Sequence, residues 1–148
     1  MPFLTDLALV VDDLVAEVAG PARGAVVTFV GVVRDHHAGR SVLRLEYSAY
    51  PGMAESECRA VVEEAERRWP VAIALRHRIG QLAVGDAAVA VVVAAAHRDV
   101  AFEACRSVID EVKRRVPIWK KEHYADGSVA WVDPTAPGGT VPAEGPSV

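Results

Sequence analysis

Cysteine is scarce in this chain of 148 residues. There are two, Cys58 and Cys105, with no Cys-x-x-Cys pair and no Cys/His ligand spacing around them. A thiol metal site is therefore not expected, and no metal is assigned. The simplest compartment for such a chain is a reducing one. Long apolar runs are lacking too. The longest, Ala87 to Ala96, is too short to span a bilayer. The first residues, MPFLTDLALVVDDL, hold acidic groups and no positive stretch, so they do not read as a secretory signal. A cytoplasmic protein is the expectation. Positive charge is also short overall, with 16 Lys and Arg against 20 Asp and Glu and a net charge of −4. That excludes a protein coating nucleic acid through a broad basic surface. No internal repeat is visible, and no Lys or Arg follows Lys121.

What is present is an ordinary globular composition, 51% hydrophobic and 24% charged, with valine and alanine dominant. One domain over residues 1–133 is expected. The remainder, 134–148, is rich in proline and glycine and has little to bury, which predicts a flexible tail dispensable for activity. Strands are expected at Leu7–Val11, Ala25–Val33, Ser41–Tyr50, Val71–Ile79, Ala87–Ala96 and Ser128–Val132. Gly31 interrupts the second of these as a bulge or a point of close approach. A short helix ends at Val18, capped by Asp12 or Asp13. Met53–Trp69 is amphipathic, with Cys58, Val61, Val62 and Ala65 on one stripe. Strands and helices mix without strict alternation, so the class is α+β with a largely antiparallel sheet and two main helices.

The richest stretch is HRDVAFEACRSVIDEVKRRVPIWKKE, residues 97–122. Ala101, Cys105, Val108, Ile109 and Val112 recur at helical spacing, and Pro117 stops the helix. Lys113 falls on the last turn and Lys120 just beyond the break. With His97 and Arg98 they are candidates to gather round an anionic substrate or an acyl transfer. Basic residues at a helix end also simply complement its dipole. Arg34 follows a strand directly, where its guanidinium can be held. RDHHAGRS reads as a polar, mobile loop, and His36 and His37 within it as a solvated hairpin turn rather than as part of an anion-binding loop. Trp119 is a candidate pocket wall. Glu122 is placed to orient Lys120 or to exchange a proton. Cys58 and Cys105 lie mid-helix on apolar faces and read as core.

The blocks TFVGVVRDHHAGR, LEYSAYPGM, HRIGQLAVGD, AAHRDVAFEACRSVIDEVKRRVPIWKKE and a closing WV together resemble the catalytic (large) subunit of molybdopterin synthase, the MoaE family. The resemblance covers most of residues 24–132. It implies an α/β hammerhead-type fold and a sulfurtransferase. Such subunits convert cyclic pyranopterin monophosphate to molybdopterin by installing a dithiolene. The sulfur comes from the C-terminal thiocarboxylate of a small ubiquitin-like carrier ending in Gly-Gly. The resemblance also implies a central homodimer, a heterotetramer with two carriers, and no cofactor. By motif position it makes Lys113 and Lys120 catalytic, and Arg34, His97 and Arg98 the phosphate donors. Lys120, beyond the helix break, is expected to be held less rigidly than Lys113. Some relatives carry a basic residue shortly after the closing WV. This chain has none, which puts a contribution of its C-terminal segment to a neighbouring site in doubt. A non-catalytic scaffold or anion-binding module that pairs with a carrier is the alternative.

Overall fold

The computed structural model describes residues 2–132; the expected domain end and the tail lie outside the described residues. The chain forms β1 (Leu4–Thr5), α1 (Val11–Val18), β2 (Ala25–Val32), β3 (His36–His37), β4 (Arg40–Ala49) and α2 (Pro51–Arg68). It continues with β5 (Val71–Arg78), β6 (Gly80–Ala83), β7 (Ala87–Ala95), α3 (Arg98–Arg115), β8 (Ile118–Tyr124) and β9 (Val129–Val132). The class is α+β, and α2 and α3 are the two main helices. One sheet has the order β1-β5-β7-β2 and is antiparallel except where β1 meets β5. The second has the order β3-β4-β8-β9, with β6 also on β4, and is antiparallel throughout.

The near-continuous apolar run of β7 is explained by burial on both faces. Val89, Val91 and Val93 pack with Cys58, Val61, Ala104, Val108 and their neighbours from α2 and α3. Ala90, Val92 and Ala94, alternating with them, meet Leu14 and Val18 of α1. A third cluster, including Val42, Leu45, Leu82 and Tyr124, belongs to the second sheet. Cys58 and Cys105 are buried and free. Burial pushes the Cys58 thiol up to about 12, so it is an inert core residue at neutral pH.

Three local expectations are corrected. The strand expected at Leu7–Val11 does not form. Backbone pairing falls instead on Leu4–Thr5, where the Glu55 carboxylate accepts from the Phe3 and Leu4 amides at 2.9 and 2.7 Å. Helix α1 starts at Val11, so Asp12 and Asp13 complement the dipole in its first turn rather than cap it. The stretch after the helix break is a seven-residue strand, β8, and β6 forms directly from Gly80. The bulge expected at Gly31 is present: the register shifts between Gly31 and Val32. A Cβ there would sit 2.8 Å from Val89 Cγ1, so close approach demands glycine.

The third correction concerns RDHHAGRS. The mobile loop is corrected to a paired hairpin, in keeping with the turn read for His36 and His37, with His36 opposite Ser41 and His37 opposite Arg40. Ala38 and Gly39 form its two-residue turn, both with positive φ, +50° and +77°. That is the type I′ pattern, for which asparagine and glycine are the favoured pair. Alanine in the left-handed region costs roughly 1–2 kcal/mol. Ala38→Asn is therefore expected to stabilise the protein by about 0.5–1 kcal/mol. Denaturant melts with unchanged slope would measure it, and an unchanged or lower midpoint would contradict the strain.

Candidate active site

The site grows from three elements that end or pass close together. β2 delivers Arg34 two residues beyond its bulged end. The last turn of α3 delivers Lys113. β8 delivers Lys120, flanked in the sheet by Tyr47 of β4 and Val132 of β9. All three cations line one cavity of about 250 Å³. Its remaining walls are largely apolar, including Val89, Ile109, Val112 and Ile118. Mixed apolar walls with a few converging charged groups are the usual build of a small-ligand site.

The electrostatics follow from the crowding. Lys113 stays solvent-accessible. Even so, the surrounding walls, and then the charges of Lys120 and Arg34, hold its ammonium below the ordinary lysine range. A lysine so placed can surrender a proton more readily than a free one. Two further groups of the cavity were not singled out from the sequence, Tyr47 and His77. Tyr47 meets His77 edge to face, with ring centroids 5.0 Å apart. Burial, helped by the charge of Glu122, raises the Tyr47 phenol to about 12, so it remains a donor. His77 is pulled down to about 4, chiefly by burial and also by Lys113, and against a hydrogen bond to the Arg78 carbonyl. Its Nδ1 lies 2.8 Å from that carbonyl, so in the neutral ring Nδ1–H donates and Nε2 is left as an acceptor. Both residues sit inside the quoted blocks LEYSAYPGM and HRIGQLAVGD. Only their strand alternation could have aimed them inward.

Glu122 lies behind Lys120 on the same face of β8, with an oxygen 3.7 Å from its Nζ. Lys120 is as firmly held as Lys113, being paired on both sides within a sheet; the looser placement expected beyond Pro117 is corrected. Trp119 does not line the cavity. Strand alternation turns it to the other face of β8, where it packs edge to face on Tyr50 at 5.0 Å. His97 and Arg98 are exposed at the opposite end of α3, beside Gly24 and Asp99. Lys113 follows Arg98 by fifteen residues of continuous helix, about 22 Å at ~1.5 Å per residue. Within one chain these two pairs do not converge. Among the described residues no group of His, Cys, Asp and Glu is arranged to hold a metal ion. No helix of the described residues is long and apolar enough to cross a membrane.

Known proteins resemble this chain in sequence and in fold. The family model described as MoaE protein matches residues 4–115, a span holding Arg34, His97, Arg98 and Lys113 and stopping short of Lys120. The molybdopterin synthase catalytic subunit 1 of Mycobacterium tuberculosis is 46% identical over 130 residues, covering 87% of this chain and 88% of that protein. The molybdopterin synthase catalytic subunit of Escherichia coli is 47% identical over 111 residues, covering 74% and 73%. The crystal structure of molybdopterin synthase from Staphylococcus aureus superposes with a TM-score of 0.84 at 34% identity, covering 88% of this chain and 95% of that one. Family match, identity across most of both chains and a shared fold agree: this chain belongs to the MoaE family.

Proposed function

We propose that this protein is a catalytic, large subunit of molybdopterin synthase. In this reading it transfers sulfur from the C-terminal thiocarboxylate of a small ubiquitin-like carrier to cyclic pyranopterin monophosphate, forming the dithiolene of molybdopterin. The observation that carries the reading is the convergence of Arg34, Lys113 and Lys120, from three separate elements, on one apolar-walled cavity. Both reactants are anionic, one through its cyclic phosphate and the other through its thiocarboxylate, and such groups call for guanidinium and ammonium donors. A cavity of about 250 Å³ is slender. It suits a chain end without side chains, as a Gly-Gly terminus has.

The roles divide by chemistry. Arg34, exposed at the rim and permanently charged, binds the phosphate. Lys113, with its depressed proton affinity, positions the thiocarboxylate and exchanges protons as carbon–sulfur bonds change. Lys120 supports the second charge, with Glu122 steadying it. Tyr47 donates from the wall. No resident cofactor takes part, since the sulfur arrives on the carrier. The protein is expected to work in the cytoplasm.

His97 and Arg98 serve the same site only if a second copy brings them to it. That fits the homodimer implied by the resemblance. β2 is an edge strand with Val26 and Val32 exposed, a face that calls for cover. Light scattering at micromolar concentration is expected to report a dimer. A monomer at every concentration would remove both the pairing and the role of His97 and Arg98.

The whole reading is tested by mixing the protein with a thiocarboxylated carrier and the cyclic pterin and assaying dithiolene product. Product formation supports it. Tight carrier binding with no product would instead favour a non-catalytic scaffold.

A further inference from the structure

Glu122 is 1% exposed, and neither carboxylate oxygen has a hydrogen-bond partner among the described residues. A buried carboxylate without such bonds is costly and calls for an explanation. Two nitrogens stand just outside contact distance of Oε1: His37 Nδ1 at 3.6 Å and Lys120 Nζ at 3.7 Å. Glu122, His37, Lys120 and Arg34 also line a second, small cavity of about 20 Å³, closed on its apolar side by Val42 and Leu45. A cavity needs roughly 10–15 Å³ and two to four polar partners to hold one water. This one meets both conditions. Glu122 itself is sealed from solvent, whereas the His37 side chain beside it is 33% exposed. It is fixed there by the tight Ala38-Gly39 hairpin, not carried on a floppy loop.

We propose that His37, one bound water and Glu122 form a hydrogen-bonded path that exchanges protons between solvent and Lys120, which makes His37 a positioning residue for the chemistry of the larger cavity. The inference rests on the reading that Lys120 serves the transfer. Proton balance is simple. When Lys120 gives a proton to a reacting group, the Glu122 carboxylate takes one from the His37 imidazolium through the water and passes it on to the Lys120 amine, and His37 is reprotonated by bulk solvent. One proton crosses for each one used, and no other bond changes. The remaining charged and titratable groups facing this carboxylate leave His37 as the solvent end. Arg34 keeps its charge throughout. His36, on the same hairpin, is tied to Asp35 at 2.8 Å. Tyr47 of β4 and Tyr124 of β8 are both raised, by burial first and then by the charge of Glu122, and stay protonated; the Tyr124 phenol is also near enough to Glu122 for hydrogen bonding to add to its shift, though outside strict hydrogen-bond geometry. Arg40 stacks on the Tyr124 ring, 3.7 Å from its centroid.

Two arms test the path. The first needs no substrate. NMR of protein labelled in lysine and histidine side chains is expected to show the Lys120 ammonium signal moving in step with the His37 imidazole signals as pH is changed. That coupled step should vanish in His37→Gln, which keeps a polar side chain but cannot titrate. A Lys120 signal blind to His37 ionisation in the wild type would overturn the path. The second arm is the pH profile of product formation. The wild type is expected to lose rate as pH rises and the path runs out of protons, and His37→Gln to lack that limb. At low pH the variant should turn over on the order of tenfold more slowly with KM unchanged, less than the roughly 100-fold loss of a direct proton-transfer group. Identical profiles would overturn the proposal. A coupled titration in the first arm, with no product from the wild type, would instead fault the reading of Lys120 as serving the transfer.

Discussion

Lys113→Met is expected to cut product formation by at least ~100-fold, the scale of a lost acid–base group, and at the same time to raise the melting temperature at neutral pH. The two effects have one cause. Burial and the neighbouring charges of Lys120 and Arg34 disfavour the folded-state ammonium. A lysine whose proton affinity is lower folded than unfolded costs stability wherever it is charged in both states. That cost is whole at pH values below the lowered folded value. It fades as pH rises from there towards the ordinary value of 10.5. Methionine keeps most of the stem and removes the charge, so the variant gains most near neutrality and its advantage shrinks in alkali. The gain is modest, because Lys113 is solvent-accessible and part of the cost is screened. Melting curves at neutral and alkaline pH measure it alongside turnover. Lys113→Arg sharpens the result: a permanent cation holds an anion but exchanges no proton, so it should restore carrier binding without turnover. A destabilised, active methionine variant would sink the assignment.

Periodicity carried most of the fold. The apolar run of β7 and the stripes of α2 and α3 are strong signals because burial repeats along them, on both faces of the strand and one face of each helix. The misses occur where pairing is made by backbone groups that composition does not reveal. β8 reads IWKKEHY, and its charged residues mask a strand whose alternation is real: Ile118, Lys120, Glu122 and Tyr124 face one way and Trp119 the other. The same oversight misplaced Trp119 as a cavity wall. The turn at His36 and His37 was legible, but its strand pairing and type were not, because it uses Ala38, which has no propensity for positive φ. At the site, Arg34, Lys113 and Lys120 were legible as charges next to element ends, and the structure gathers them in one cavity. Tyr47 and His77 were not, since nothing in a strand's composition tells which face meets a cavity. His97 and Arg98 show the opposite failure. Nearness to α3 in sequence placed them with Lys113, while a rigid helix of 18 residues holds them apart.

The second lysine should behave in the opposite sense on stability. Lys120→Met is expected to lower activity to within tenfold of the Lys113 variant and to destabilise the protein by about 1–3 kcal/mol, the cost of leaving a buried polar group unsatisfied. Glu122 is buried at 1% exposure, and the Lys120 ammonium stands 3.7 Å from its Oε1. Removing one partner of a buried ion pair leaves an uncompensated charge. His37, at 3.6 Å from the same oxygen, is the other nitrogen within reach of this carboxylate. Losing the Lys120 charge also relieves Lys113, whose proton affinity Lys120 helps to depress, and any limb of the rate profile set by Lys113 should move to higher pH. The strand supplies the reason for a large catalytic effect. Lys120 is registered opposite Tyr47 and Val132 and cannot be replaced by a mobile neighbour. If the two lysines act as a unit, the double variant should lose scarcely more activity than either single one. Multiplying losses in the double variant would show two independent contributions. A Lys120→Met protein as stable as the wild type would show that Glu122 does not depend on this cation.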